Sequence, residues 1–134
     1  MAKILVAEDE KQIADMIAFK LTNGGHKVIQ AQDGEQAVTL ATRELPDLIL
    51  LDVMMPGLSG FEVLRRLKSD PALRSMPVIM VTAKGHERDV LNGLRSGAVD
   101  YVVKPFSLKE LAARVELALR REPPAPPQPP ATAA

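Results

Sequence analysis

Four short apolar runs in this chain each end in a polar residue whose side chain can do chemistry. Lys3-Ile4-Leu5-Val6-Ala7 leads into Glu8-Asp9, and Asp47-Leu48-Ile49-Leu50-Leu51 leads into Asp52. Pro77-Val78-Ile79-Met80-Val81 leads into Thr82, and Tyr101-Val102-Val103 into Lys104-Pro105. Such runs, unbroken by alternating polar residues, read as strands buried on both faces. If they lie parallel in one sheet, three carboxylates, a hydroxyl and an ammonium gather at a single rim. Open α/β sheets bind their ligands at that rim, outside the strand C-termini. Three carboxylates facing one lysine leave a negative pocket, which a hard divalent cation such as Mg²⁺ would neutralise.

Taken singly, each residue has a plain explanation. An acidic pair ahead of a helix complements the helix dipole. An aspartate closing a strand caps a loop, a threonine there is commonplace, and Lys-Pro makes a turn. None of these accounts explains why Glu8, Asp9, Asp52, Thr82 and Lys104 all stand at strand ends.

The elements that must position them alternate along the chain. Between the strand-like runs, apolar residues recur at helical spacing: Ile13, Met16, Ile17 and Leu21, then Ala37, Val38, Ala41 and Leu45. Phe61, Leu64 and Leu67 follow, then Val90, Leu91 and Leu94, and finally Leu108, Leu111, Ala112, Val115 and Ala118. The punctuation agrees. Gly24-Gly25 and Gly97 mark helix C-termini, Ser59 with Glu62 and Ser107 with Glu110 have the spacing of capping boxes, and Asp33-Gly34 reads as a turn with a helix cap. Pro77 opens a strand, where no ladder donor is needed. Five βα units joined by right-handed crossovers give a doubly wound α/β sandwich with helices on both faces of a parallel sheet.

Composition bounds the function. At 134 residues, with 17 basic and 17 acidic side chains, the chain is one neutral domain without the basic excess of a nucleic-acid binder. It has no cysteine, which excludes a disulfide framework and thiolate metal sites. No apolar run approaches the ~20 residues that span a bilayer, and the N-terminus is unlike a signal peptide, so a soluble cytoplasmic protein is expected. His26 and His86 fall in a predicted turn and at the start of the fourth helical run, and both are read as surface residues rather than ligands. The domain is expected to occupy residues 1–121. Residues 122–134, which carry Pro123-Pro124-Ala125-Pro126-Pro127-Gln128-Pro129-Pro130, read as a disordered tail or linker.

From Ala2 to about Arg121 the chain resembles the receiver domain of bacterial two-component response regulators, as seen in the chemotaxis regulator and in winged-helix transcription regulators. The resemblance is carried by Ile4-Leu5-Val6-Ala7-Glu8-Asp9-Glu10, by Pro46 through Gly57 around Asp52, by Pro77 through Ala83, and by Asp100-Tyr101-Val102-Val103-Lys104-Pro105-Phe106. It implies a flavodoxin-like (βα)5 sandwich with strand order 2-1-3-4-5, an order for which receiver domains are themselves a stock example. It implies that Asp52 accepts a phosphoryl group from a histidine kinase or phosphotransfer protein, with Mg²⁺ held by Glu8, Asp9, Asp52 and the Met54 backbone carbonyl. Many relatives carry Asp where this chain has Glu8. Lys104 would pair with the phosphoryl oxygens, preceding a cis peptide at Pro105. Thr82 would bond the arriving group, and Tyr101 would move inward behind it, changing the face built from the fourth helix, fifth strand and fifth helix.

The implied role is that of a signalling domain rather than an enzyme, although it assists its own phosphorylation and dephosphorylation. Asp100, Glu110, Arg114 and Arg121 resemble residues that pair across a phosphorylation-dependent homodimer, although Val90 matches that pattern poorly. Met54 and Lys84 would flank the water that hydrolyses the acyl phosphate. An aspartate-nucleophile phosphatase is disfavoured because Met54 stands where its general acid would be. A flavin or nucleotide carrier is disfavoured because Glu8-Asp9-Glu10 would repel phosphate. No helix-turn-helix pattern follows Arg121, so a stand-alone receiver that docks to a partner protein leads. The regulatory half of a longer DNA-binding regulator is the alternative.

Overall fold

The computed structural model describes residues 1–83 and 97–120. The strands are β1 (Lys3–Ala7), β2 (Lys27–Ala31), β3 (Leu48–Asp52), β4 (Val78–Ala83) and β5 (Asp100–Lys104). The helices are α1 (Lys11–Asn23), α2 (Gly34–Glu44), α3 (Gly60–Ser69) and α4 (Leu108–Arg120). All neighbouring strands pair in parallel, in the order β2-β1-β3-β4-β5, which is the expected doubly wound, flavodoxin-like architecture. The expected fourth helical run (Val90, Leu91, Leu94), Lys84, His86, Arg121 and the tail 122–134 lie outside the described residues, so the fifth helical run of the sequence is α4 here.

Strand side chains alternate between two apolar layers. Ile4, Val6, Leu48, Leu50, Ile79 and Val102 pack with Ile17 and Leu21 of α1 and with Leu111 and Val115 of α4. Leu5, Ala7, Ile49, Leu51, Val78 and Met80 pack with Ala37 and Ala41 of α2 and with Val63, Leu64 and Leu67 of α3. Each fully buried Leu or Ile contributes about 1.5–3 kcal/mol, so a polar residue is cheapest where a strand leaves the core.

Register then brings those strand ends level. Ala7 is paired with Leu51, so Glu8 follows beside Asp52. Asp52 is paired with Val81, just before Thr82, and Lys104 with Ala83.

Helix ends follow the sequence with instructive exceptions. Asp33 caps α2 by accepting from the Gln36 N–H at 2.8 Å. Ser59 caps α3 through Glu62 N–H at 3.3 Å, and Ser107 Oγ accepts from Glu110 N–H at 2.9 Å. The expected capping boxes are nevertheless completed on one side only. Glu62 turns to Arg65 and Glu110 to Arg114, because a guanidinium offers a carboxylate a charge-assisted bond. Leu45, expected on the buried face of the second helix, is instead exposed beyond its end, in a left-handed conformation (φ 46°) that turns the chain toward Pro46. Met16 is likewise outside the core, since α1 buries Ala14, Ile17 and Leu21.

His26 is a further correction. Its side chain is largely covered, accepting at Nδ1 from the Ala2 N–H (3.2 Å) and lying 2.6 Å at Nε2 from Glu116 of α4. A backbone N–H can only donate, so Nδ1 is unprotonated in this contact and Nε2 carries the hydrogen toward Glu116.

Gly60 opens α3 directly beneath the end of β3, and its N–H donates to the Val53 carbonyl at 2.9 Å. A Cβ at this position would clash with the Asp52 carbonyl and sit 2.8 Å from Val53 Cα, both unyielding backbone. Gly60→Ala is therefore expected to lower stability by about 1–3 kcal/mol, read as a reduced urea midpoint with an unchanged slope.

Candidate functional site

Asp52 is 3% exposed, because it is the last residue of a strand flanked on both sides. Its Oδ1 accepts from the Met54 N–H at 3.0 Å, and its Oδ2 lies 2.9 Å from Lys104 Nζ. Glu8, also 3% exposed, places Oε1 3.0 Å from the same ammonium and accepts at Oε2 from the Glu10 N–H at 3.2 Å. Asp9 is exposed beside them, and one oxygen from each of Glu8, Asp9 and Asp52 lies within 4.8 Å of the others.

Lys104 reaches this cluster from β5. Strands sit about 4.8 Å apart, so β5 and β1 are separated by roughly 14 Å of sheet. The lysine crosses over β4 to Asp52 on β3 and on to Glu8 at the end of β1, as only a long side chain can. The Lys104–Pro105 peptide bond is cis.

Thr82 ends up 2% exposed, and its buried Oγ1 has no hydrogen-bond partner among the described residues. A buried hydroxyl left unpaired costs about 1–3 kcal/mol. Tyr101 is buried in the layer shared with α2 and α3, so it already occupies an inward position. Met54, by contrast, is 64% exposed, its side chain outside the carboxylate cluster. The rim therefore brings together Glu8, Asp9, Asp52, Thr82 and Lys104.

Three features were not read from the sequence. Gly60 beneath Asp52 carries no chemical signal in its type. The Glu8–Lys104 contact depends on a distance across the sheet. Arg114, expected to pair across a dimer, is engaged within the chain by both oxygens of Asp100 (2.8 and 2.9 Å) and by Glu110 (3.2 Å). A positive residue on α4 spaced four from Glu110 was the available clue to that last pairing.

The electrostatics are strained by a surplus of carboxylates. Burial and the neighbouring Asp52 push Glu8 from 4.5 up to about 7, against the opposing pull of Lys104 and the Glu10 N–H. Burial works to lower Lys104, but its bonds to Asp52 and Glu8 outweigh this and hold it above its ordinary value. Glu8 thus binds its proton more tightly folded than unfolded, so its contribution favours the fold at low pH and is lost as pH rises from 4.5 through about 7. In chelator, the parent is expected to lose up to roughly 3 kcal/mol over this range relative to Glu8→Gln. Chemical denaturation of both proteins at about pH 5 and about pH 7.5 checks it, and parallel pH profiles would contradict it.

Comparison with known proteins gives one answer. The family model for the response regulator receiver domain matches residues 4–116. The chain is 46% identical over 119 residues to the phosphate regulon transcriptional regulatory protein PhoB of Escherichia coli, covering 89% of this chain and 52% of that protein. It is 48% identical over 118 residues to the protein of the same name from Pseudomonas aeruginosa, covering 88% and 52%. The chain thus spans about half the length of these curated relatives. Among solved structures, the receiver domain of the Francisella response regulator 1452 aligns with a TM-score of 0.83 at 37% identity, covering 90% of this chain and 98% of that one. The receiver domain of NtrX from Brucella abortus aligns at 0.83 and 31%, covering 89% and 99%. With the fold, the acidic rim and these matches in agreement, the chain belongs to the receiver-domain family of two-component response regulators.

Proposed function

We propose that Asp52 is the phosphoacceptor of this receiver domain and that its modification is the signal. The observation that carries the reading is the buried Asp52 carboxylate, oriented by Lys104 and the Met54 N–H, with the unpartnered Thr82 hydroxyl at the same rim. An Asp52 oxygen attacks the phosphorus of a phosphohistidine. The P–N bond breaks as the new P–O bond forms, and the leaving imidazole takes up a proton from solvent water. Lys104 balances charge on the phosphoryl oxygens, and Thr82 donates them a hydrogen bond for which it has no acceptor among the described residues. Completing that bond draws Thr82 toward the acyl phosphate, with Tyr101 held inward behind it, and alters the surface around β5 and α4.

The donor set fits Mg²⁺. Asp9 and Asp52 would supply hard oxygen ligands with the Met54 carbonyl, Glu8, held by Lys104, would reach the ion through water, and the surplus negative charge favours a divalent cation. When bound, the ion neutralises charge building on the transferred phosphoryl group.

The partner class is a sensor histidine kinase or phosphotransfer protein. The family and the lack, among the described residues, of any helix long and apolar enough to cross a membrane support a cytoplasmic site of action. The 52% coverage of the PhoB relatives favours a second reading of the output, in which the domain regulates a DNA-binding effector in a longer chain rather than a separate docking partner. A phosphorylation-dependent homodimer through β5 and α4 is compatible with either output.

Acetyl phosphate with Mg²⁺ is expected to label Asp52 alone, and Asp52→Asn to abolish labelling while keeping the parent's fold. Peptide mapping by mass spectrometry checks the site, and acyl phosphate persisting in the variant would overturn the assignment.

The acyl phosphate is also expected to be long-lived. An exposed Met54 cannot orient an attacking water, and Lys84 is no general base while protonated. Decay should be faster in the Met54→Asn, Lys84→Glu double variant, measured at fixed pH and Mg²⁺; equal lifetimes would count against this.

A further inference from the structure

Glu8 stands in the metal-ligand set implied by the family, yet both of its oxygens already have protein donors: Lys104 Nζ at Oε1 (3.0 Å) and the Glu10 N–H at Oε2 (3.2 Å). Asp9 is exposed, and its carboxylate meets no protein donor among the described residues. The two acidic neighbours are therefore differently committed. The side chain that spans toward β5 is the longer one. An aspartate at this position would be one methylene shorter than the side chain that meets the ammonium at 3.0 Å, across β4 from its own strand.

We infer that Glu8 is a positioning residue for Lys104: it holds the ammonium in the resting protein and competes with the incoming phosphoryl group for it. Lys104 is shared between two carboxylates before transfer. The phosphoryl oxygens must draw it away from Glu8, and loss of the phosphoryl group returns it. Glu8 thereby restrains phosphorylation in the absence of a committed donor, while Asp9 and Asp52 are left facing the cation. This rests on the reading of Asp52 as the phosphoacceptor.

The test uses the full chain, with Glu8→Asp, which keeps the charge but shortens the reach. The Lys104 Nζ–H NMR signal is recorded in chelator, and the rate of phosphorylation from acetyl phosphate is measured at saturating Mg²⁺. The signal, sharp in the parent because the ammonium is held by two carboxylates, is expected to shift and broaden in the variant. Phosphorylation is expected to speed up by about threefold, under the tenfold that one pKa unit of interaction represents. Glu8→Gln, which keeps the length but drops the charge, should move both readouts in the same direction and serves if the aspartate variant is unstable. An unchanged Lys104 signal in both variants overturns the contact. A changed signal with a rate no faster than the parent's overturns the competition. Failure of the parent itself to be labelled at Asp52 would instead overturn the underlying reading, so the two failures are told apart.

Discussion

Lys104 Nζ sits 2.9 Å from Asp52 and 3.0 Å from Glu8, and much of the molecule's organisation exists to make that possible. A buried carboxylate without a counter-charge is costly, and breaking such a pair strands the partner left behind. The ammonium can reach both acids only if β5, β3 and β1 run the same way and end at the same level. Parallel pairing supplies the common direction, and the register of Ala7 with Leu51 and of Ala83 with Lys104 supplies the level. The two apolar layers fix that register, since slipping one residue would exchange the faces of every strand side chain.

The charge balance at the rim separates structural roles from chemical ones. One lysine cannot compensate Glu8, Asp9 and Asp52 together. Burial first, and then the neighbouring Asp52, raise Glu8 to about 7 against the pull of Lys104. In the proposed reading, that surplus of negative charge receives a cation first and then a group whose oxygens Lys104 and Thr82 meet. Thr82 adds a complementary deficit in hydrogen bonding, its hydroxyl buried without a partner among the described residues. A site satisfied in charge and hydrogen bonds would be more stable and would have less reason to bind anything.

What could be read from the sequence was whatever leaves a one-dimensional trace. An apolar run ending in an acid announces a strand and the end of its burial together, so Glu8, Asp52, Thr82 and Lys104 were legible without coordinates. Helical spacing located the cores of the helices but ran past their ends, as at Leu45, because periodicity carries no information about where the chain turns left-handed. Ser59 and Ser107 announced caps correctly, yet the reciprocal half of each box was lost to Arg65 and Arg114, competitors that lie close on the same helix. His26 looked like a turn residue because neither Ala2 nor Glu116 is near it in sequence. Distances across the sheet, such as that between Glu8 and Lys104, are properties of topology and were beyond a residue-by-residue reading.

The pairing of Arg114 with Asp100 and Glu110 within one chain has a consequence for any surface built on β5 and α4. A partner that engages Arg114 does not add an ion pair; it exchanges one for another of similar strength. Association by exchange gains little from electrostatics alone and is correspondingly easy to undo. Its balance is then set by small displacements of the backbone that alter which pairing is better aligned. In the proposed reading, a surface of that kind suits contacts that form and dissolve with the chemical mark.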